Sequence, residues 1–193
     1  MPNFTYIAQS NSKVTIVDID TFVVVSTIVI GFNTNWIALT PDGKMAYLAN
    51  QTNSTVALLD LMSEMIVEVI YLGITDNQPN QPKQIVVHPT NGLAYIANAS
   101  GTISIIDTAV QTLISTVKVA STLSVMALSP DKNYLLNHLR GSMCEHVFFI
   151  NSIAKIRHGT VRRKNKGSRV KHSATHCLTN SIYHVIVRDH LVK

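Results

Sequence analysis

One phrase occurs three times in this chain. "YIAQSNSKVTIVDID" begins at Tyr6, "YLANQTNSTVALLDL" at Tyr47 and "YIANASGTISIIDTA" at Tyr95. Each copy places an Asp twelve or thirteen residues after its Tyr, at Asp18, Asp60 and Asp107. A second phrase precedes the later copies and then recurs alone: "WIALTPDGKMAY" from Trp36, "IVVHPTNGLAY" from Ile85 and "VMALSPDKNYLL" from Val125. Its prolines, Pro41, Pro89 and Pro130, lie 48 and 41 residues apart. A repeat of this length is one supersecondary unit that cannot bury its own apolar surface and must stack on its neighbours. The longer interval is accounted for by "GITDNQPNQPKQ", Gly73–Gln84, a polar insertion that reads as a loop.

Each period holds four apolar runs of strand length. In the second copy these are "WIALT", "MAYLAN", "TVALLDL" and "MIVEVIYL", rich in β-branched and aromatic residues and divided by turn signals. In Pro41–Gly43 the proline presets φ, the Asp can bond the backbone ahead, and Gly accepts positive φ. Asp18, Asp60 and Asp107 have the same turn role after each third run. The runs "VTIVDI" and "ISIID" are apolar on both faces, whereas a sheet with one wet face alternates. Something must therefore pack on each side, and a four-stranded sheet between copies of itself meets that need, as in a β-propeller blade. A helical repeat fails, since no window keeps an i, i+3, i+4, i+7 stripe.

On "YIANASGTISIIDTA" and "TPDGKMAYLAN" the chain resembles the YVTN family of β-propeller repeats, which are WD40-like in architecture, over about residues 6–137. The resemblance implies an all-β fold of four-stranded antiparallel blades. It also implies a role more often in ligand binding or at surfaces than in catalysis, although some relatives of the wider class are lactonases or quinone-dependent dehydrogenase subunits. Innermost strands fall at Trp36–Thr40, Ile85–His88 and Val125–Ser129, and the chain enters its first blade at the second strand. That is about three to three and a half blades, fewer than the 4–8 of closed propellers. The expectation is an incomplete propeller, a fragment or truncated gene product whose open blade edges invite a homo-oligomer or another partner.

Composition marks a boundary near residue 137. Residues 1–137 carry five Lys and nine acids; residues 138–193 carry eleven Lys or Arg and two acids, with seven of the eight His and both Cys. The expected division is 1–137, propeller repeats, and 138–193, a basic His-rich tail off the pattern and otherwise poorly ordered. Within the tail, "EHVFFINSIAK", Glu145–Lys155, reads as one further third strand with Asn151 in the Asp position. With 46% hydrophobic and 14% charged residues there is ample material for a core. The longest apolar run, Phe22–Phe32, is too short to span a bilayer, so no transmembrane segment is expected. No basic-then-apolar leader opens the chain, which makes the cytoplasm the default location, although the family resembled is often exported.

Chemistry is sparse. The run Arg157–His172 has nine basic or His residues in sixteen, but no aromatic residue to stack bases, so nucleic-acid binding is not expected. Cys144, His146, His172, His176 and Cys177 are potential zinc ligands without a paired-Cys motif, and no metal or other cofactor is expected. His88 stands where the other copies have Thr40 and Ser129 and could face the axial tunnel. Glu64 and Glu68 at strand spacing would share an outer edge face. Trp36, Tyr47 and Tyr95 read as core anchors. Asn50 and Asn98 head sequons but share one repeat position, which is repeat structure before it is glycosylation. The reading is a non-catalytic scaffold that binds a protein or small molecule through loops on one face. Its expected binding residues are Asp76, Asn77, Gln78, Asn80 and Gln81 of the insertion, with His88 at the tunnel mouth. The alternative is a remnant of a propeller enzyme, lactonase-like or a quinone-dependent dehydrogenase subunit.

Overall fold

In a computed structural model the described residues are 3–119, 123, 125–138, 145–150 and 156–161. They form strands and turns with no helix. The first sheet has three antiparallel strands, β1 (Phe4–Gln9), β2 (Lys13–Asp18) and β3 (Val24–Val29). The second has four: β4 (Ile37–Leu39), β5 (Met45–Asn50), β6 (Thr55–Asp60) and β7 (Met65–Tyr71). A small hairpin, β8 (Ile74–Thr75) and β9 (Gln78–Pro79), leads into the third sheet. That sheet comprises β10 (Pro82–Val87), β11 (Leu93–Asn98), β12 (Thr102–Asp107) and β13 (Thr112–Lys118). The fourth comprises β14 (Val125–Leu128), β15 (Tyr134–His138), β16 (Glu145–Ile150) and β17 (Ile156–Val161). Chain order is strand order in every sheet.

The change in charge at residue 138 is not a change in architecture. β15 runs across it, and β16 and β17 supply the third and fourth strands of the fourth sheet. β17 takes up the first residues of the basic run. Asn151, Cys144, residues 162–172 of that run, His176 and Cys177 lie outside the described residues, and His146 lies on β16.

Three apolar clusters occupy the three gaps between consecutive sheets. Val14, Ile16 and Ile28 of the first sheet meet Ala46, Leu48, Ala57 and Leu59 of the second. Tyr47, Ala49, Val56 and Leu58 of the second meet Ile85, Ala94, Ile96 and Ile106 of the third. Tyr95, Ala97, Ile103 and Ile105 of the third meet Met126 and Leu135 of the fourth. Neighbouring residues of one strand thus serve different gaps, because side chains alternate across a sheet. The apolarity of "MAYLAN" and "TISIID" on both faces follows directly. Tyr47 and Tyr95, at 0% and 1% exposed, are the largest fully buried side chains. Trp36 departs from expectation. It precedes β4 on the inner edge, remains 37% exposed, and is held by its indole N–H rather than by burial.

The turns repeat as faithfully as the strands. Asp18, Asp60 and Asp107 each accept two backbone N–H bonds, from the residues two and three positions ahead, at 2.8–3.4 Å. The fourth residue after each Asp, Phe22, Glu64 and Gln111, adopts φ of 55–57°. Glu64 is therefore a turn residue ahead of β7 and does not share a strand face with Glu68. One step beyond each turn the ladder carries the same β-bulge, between Ile16 and Val17, Leu58 and Leu59, and Ile105 and Ile106. In the Pro-Asp hairpins, Gly43 supplies φ of 68° in the second sheet, but the fourth sheet places Lys132 there at φ 63°, where a side chain is strained.

Candidate functional site: the β8–β9 hairpin and the contacts between blades

The insertion is a hairpin, not an irregular loop. Asp76 and Asn77, with φ of 53° and 59°, form a two-residue turn of the kind that matches strand twist. Its base is fixed to the third sheet. Asn80 is 1% exposed; its amide donates to the Leu72 carbonyl at 2.9 Å and to the Thr75 hydroxyl at 3.0 Å, and its Oδ1 accepts from Ser100 and Thr102 at 2.9 and 3.0 Å. Of the expected binding residues, Asn80 is thus turned inward and fully occupied. Gln81 is half-buried, and its carbonyl accepts from the Ala99 amide at 2.7 Å. The tip differs: Asp76, Asn77, Gln78 and Pro79 are exposed. Asp76 pairs with Lys118 at 3.3 Å, and the same ammonium donates to the Ser100 carbonyl at 2.7 Å. As an exposed pair it adds little stability, but it directs the hairpin along the third sheet.

Below the hairpin lies a buried polar cluster. Asn98, 0% exposed, donates to Thr102 and Ser104 at 2.9 and 2.8 Å. Its Oδ1 is buried with no partner among the described residues. Asn50, its counterpart one repeat earlier, is 4% exposed and accepts from the Asn53 amide at 3.3 Å. Both side chains are therefore structural.

His88 is at the other end of β10. The hairpin enters that strand and His88 leaves it, so the two lie on opposite faces, about 20 Å apart at ~3.3 Å per residue. The structure does not bring them together. His88 is 6% exposed and both ring nitrogens are engaged: Nδ1 accepts from the Thr90 and Asn91 amides at 3.2 and 3.0 Å, and Nε2 donates to the Lys132 carbonyl of the fourth sheet at 2.9 Å. Thr40 and Ser129 do the equivalent job within their own hairpins, accepting from the amides of Met45 and Tyr134.

Two kinds of polar contact cross the gaps, the first of them recurring, and neither was anticipated from the residues. Trp36 Nε1 donates to the Ile85 carbonyl at 2.9 Å. One repeat later Gln84 holds both backbone groups of Met126, donating to its carbonyl at 2.6 Å and accepting from its amide at 2.5 Å. Trp36 and Gln84 occupy one repeat position, five residues before the proline, as Ile85 and Met126 occupy the next. The signal was present: both side chains carry an N–H that can reach a neighbouring strand edge. The second contact is made by the repeat tyrosine. Tyr47 donates its hydroxyl to Gln111 of the next sheet at 2.7 Å. Tyr6 lies beside Glu64, the same turn position one sheet earlier, and burial followed by the Glu64 charge raises its phenol pKa. Burial likewise raises the phenols of Tyr47 and Tyr95; the Tyr95 hydroxyl accepts from the Asn91 side-chain amide of its own hairpin at 3.1 Å.

Among the described residues no three His, Cys, Asp or Glu side chains come together as a metal site, and no helix is long and apolar enough to cross a membrane. No protein-family profile and no curated protein matches the chain. Solved structures do. Hydrazine synthase of Kuenenia stuttgartiensis matches with a TM-score of 0.65 at 23% identity, over 80% of this chain and 46% of that one. Dihydro-heme d1 dehydrogenase NirN, solved in complex with DHE, matches with a TM-score of 0.65 at 23% identity, over 81% of this chain and 34% of that one. The chain spans less than half the length of either. Both are β-propeller proteins, and at this identity the likeness speaks of fold alone: the stacked antiparallel sheets are the blades of an incomplete β-propeller.

Proposed function

We propose that the chain is a non-catalytic propeller module of the YVTN type that binds a protein or small molecule at the hairpin face. The observation that carries this reading is the contrast within the insertion. Its base is locked by Asn80, whereas its tip, Asp76–Pro79, stands in solvent on a rigid support. Exposed polar loops on a fixed scaffold are where recognition concentrates. The engaged state of His88, Thr40 and Ser129 adds support: His88 is held by backbone groups, and the two hydroxyls accept from backbone amides and donate to Asp42 and Asp131 of their own hairpins.

The reading is tested with a thermal-shift panel of sugars, nucleotides, amino acids and short peptides, run on the full chain and on an Asn77→Gly, Gln78→Ala variant. Asn77→Gly keeps the turn, because Gly accepts φ near 59°. A compound that stabilises the parent and not the variant supports the reading; stabilisation indifferent to the variant refutes binding at this tip.

A second reading, a propeller-enzyme remnant, is favoured by the names of the two solved neighbours, a synthase and a dehydrogenase. Metal-dependent lactone hydrolysis, or reduction of an artificial quinone acceptor, by the purified chain would establish it over the first.

A further inference from the structure

We infer that the hairpin Pro89–Gly92 of the third blade opens when His88 takes up a proton, and that this opening is felt inside the gap between the third and fourth blades. It is separate from ligand binding at the β8–β9 hairpin, which lies at the other end of β10.

The partners of the ring fix its tautomer. The amides of Thr90 and Asn91 point at Nδ1 at 3.2 and 3.0 Å. A backbone N–H can only donate, so Nδ1 is the bare, accepting nitrogen. The single proton of the neutral ring therefore sits on Nε2, which gives it to the Lys132 carbonyl at 2.9 Å. One ring, 6% exposed, closes its own hairpin through one nitrogen and holds the next blade through the other. A second proton places a hydrogen on Nδ1. The bond to Lys132 survives and becomes charge-assisted. The two amides, however, then face another donor. Turning the ring over does not help, because both of its nitrogens now carry hydrogen. The amides regain a partner only if the hairpin parts from the ring.

At the same place the second and fourth blades carry hydroxyls, Thr40 and Ser129, which accept from the amides of Met45 and Tyr134. A hydroxyl does not change charge between about pH 5 and 8, and histidine is the side chain that does. The charges around the ring do not take the place of the lost acceptor. Across the gap the fourth-blade hairpin carries Asp131 and Lys132, of opposite sign, and the phenol of Tyr134. Both Asp131 oxygens are engaged within that hairpin, by Ser129 and Asn133. On the other side of β10 the second-blade hairpin carries Asp42 and Lys44, and in the third blade Asp107 is held by the amides of Ala109 and Val110. Among the described residues no carboxylate pairs with His88.

The effect reaches inward through Asn91. Its amide donates to the hydroxyl of Tyr95 at 3.1 Å, and its Oδ1 accepts from the Leu93 amide at 3.0 Å. Tyr95 is 1% exposed and belongs to the apolar cluster that joins the third blade to the fourth. An opened hairpin carries Asn91 away and leaves that hydroxyl without its donor.

Amide exchange resolved by NMR on the full chain, corrected for the intrinsic rate at each pH, tests this at about pH 7.5 and about pH 5. Protection of Thr90 and Asn91 is expected to fall by about tenfold or more, since an opening coupled to one proton grows by up to about tenfold per pH unit. Protection of Met45 and Tyr134 is expected to hold. His88→Asn keeps an acceptor for the amides two and three residues ahead, as Asp60 does for Met62 and Ser63, and takes up no proton in this range. Its hairpin is expected to be equally protected at both values. The ring nitrogen shifts of the parent at the higher pH are expected to place the proton on Nε2. A proton on Nδ1 would overturn the inference, as would protection of Thr90 and Asn91 indifferent to pH. An equal fall at Met45 and Tyr134, or a fall in His88→Asn matching the parent's, would do the same. The parent's ring and amide signals decide the matter whether or not the variant folds.

Discussion

Gln84→Leu removes the one side chain that satisfies both backbone groups of a residue in the next blade. Met126 is 1% exposed, and its amide and carbonyl on the inner edge are held at 2.5 and 2.6 Å by Gln84. Leucine fills similar space but neither donates nor accepts. A buried backbone group left unpaired costs about 1–3 kcal/mol, so the pair predicts a loss of ~2–6 kcal/mol. At about 2–4 °C per kcal/mol for a chain of this size, even the lower bound lowers the melting temperature by ~4 °C or more. The matched control is Trp36→Phe, which strips a single donor from the Ile85 carbonyl at a half-open site and should cost ~1 kcal/mol. Urea unfolding measures both. Hydrogen exchange should show the Gln84→Leu loss concentrated in β14 and β15, because a stack of repeats transmits instability mainly to the nearest neighbour. If Gln84→Leu is no less stable than Trp36→Phe, or if protection falls equally in β5 and β6, the amide does not bind the third blade to the fourth as argued.

Tyr47→Phe deletes a half-buried hydroxyl bond to Gln111 and should cost ~1 kcal/mol, with a double-mutant cycle against Gln111→Met showing that most of it is the pair. Asn80→Ala empties a buried site of four hydrogen bonds and should cost ~2–4 kcal/mol; limited proteolysis should then cut first between residues 73 and 81. The carboxyls of Asp18 and Asp60 are held below the usual carboxylate range, chiefly by the amides of Thr21 and Ser63. A carboxyl whose folded pKa is depressed adds stability above its unfolded pKa and loses it as pH falls through the folded one. Asp60→Asn, which cannot ionise, should therefore be less stable than the parent at about pH 7 and converge with it at about pH 2, read as melting temperature against pH.

The repeat made the strands legible because a recurring Tyr, Asp and Pro mark where each begins and turns. The doubly apolar runs disclosed the stacking, since each strand feeds two gaps. What stayed hidden depends on neighbours that the local chain does not name. Trp36 looks like a core anchor until the Ile85 carbonyl is seen to hold it, and Asn80 looks like a recognition residue until Ser100 and Thr102 close over it. His88 and Asn80 of the insertion are eight residues apart in sequence but separated by the length of β10, so proximity along the chain misled about the site. The insertion's polar, Pro-containing sequence indicated a loop; the left-handed pair Asp76–Asn77 made it a hairpin.

The bulge shared by the first three blades bears on how the molecule's circumference resists pairing with a foreign strand. Val25, Val67 and Ile114 are the extra residues, each about half exposed on the outermost strand. An unpaired outer strand with such β-branched apolar residues would, if flat and regular, be a template for fibril growth. The kink spoils the spacing of its free amides and carbonyls and increases the local twist, so a foreign strand cannot pair along its whole length. Growth is thereby discouraged outward from the rim.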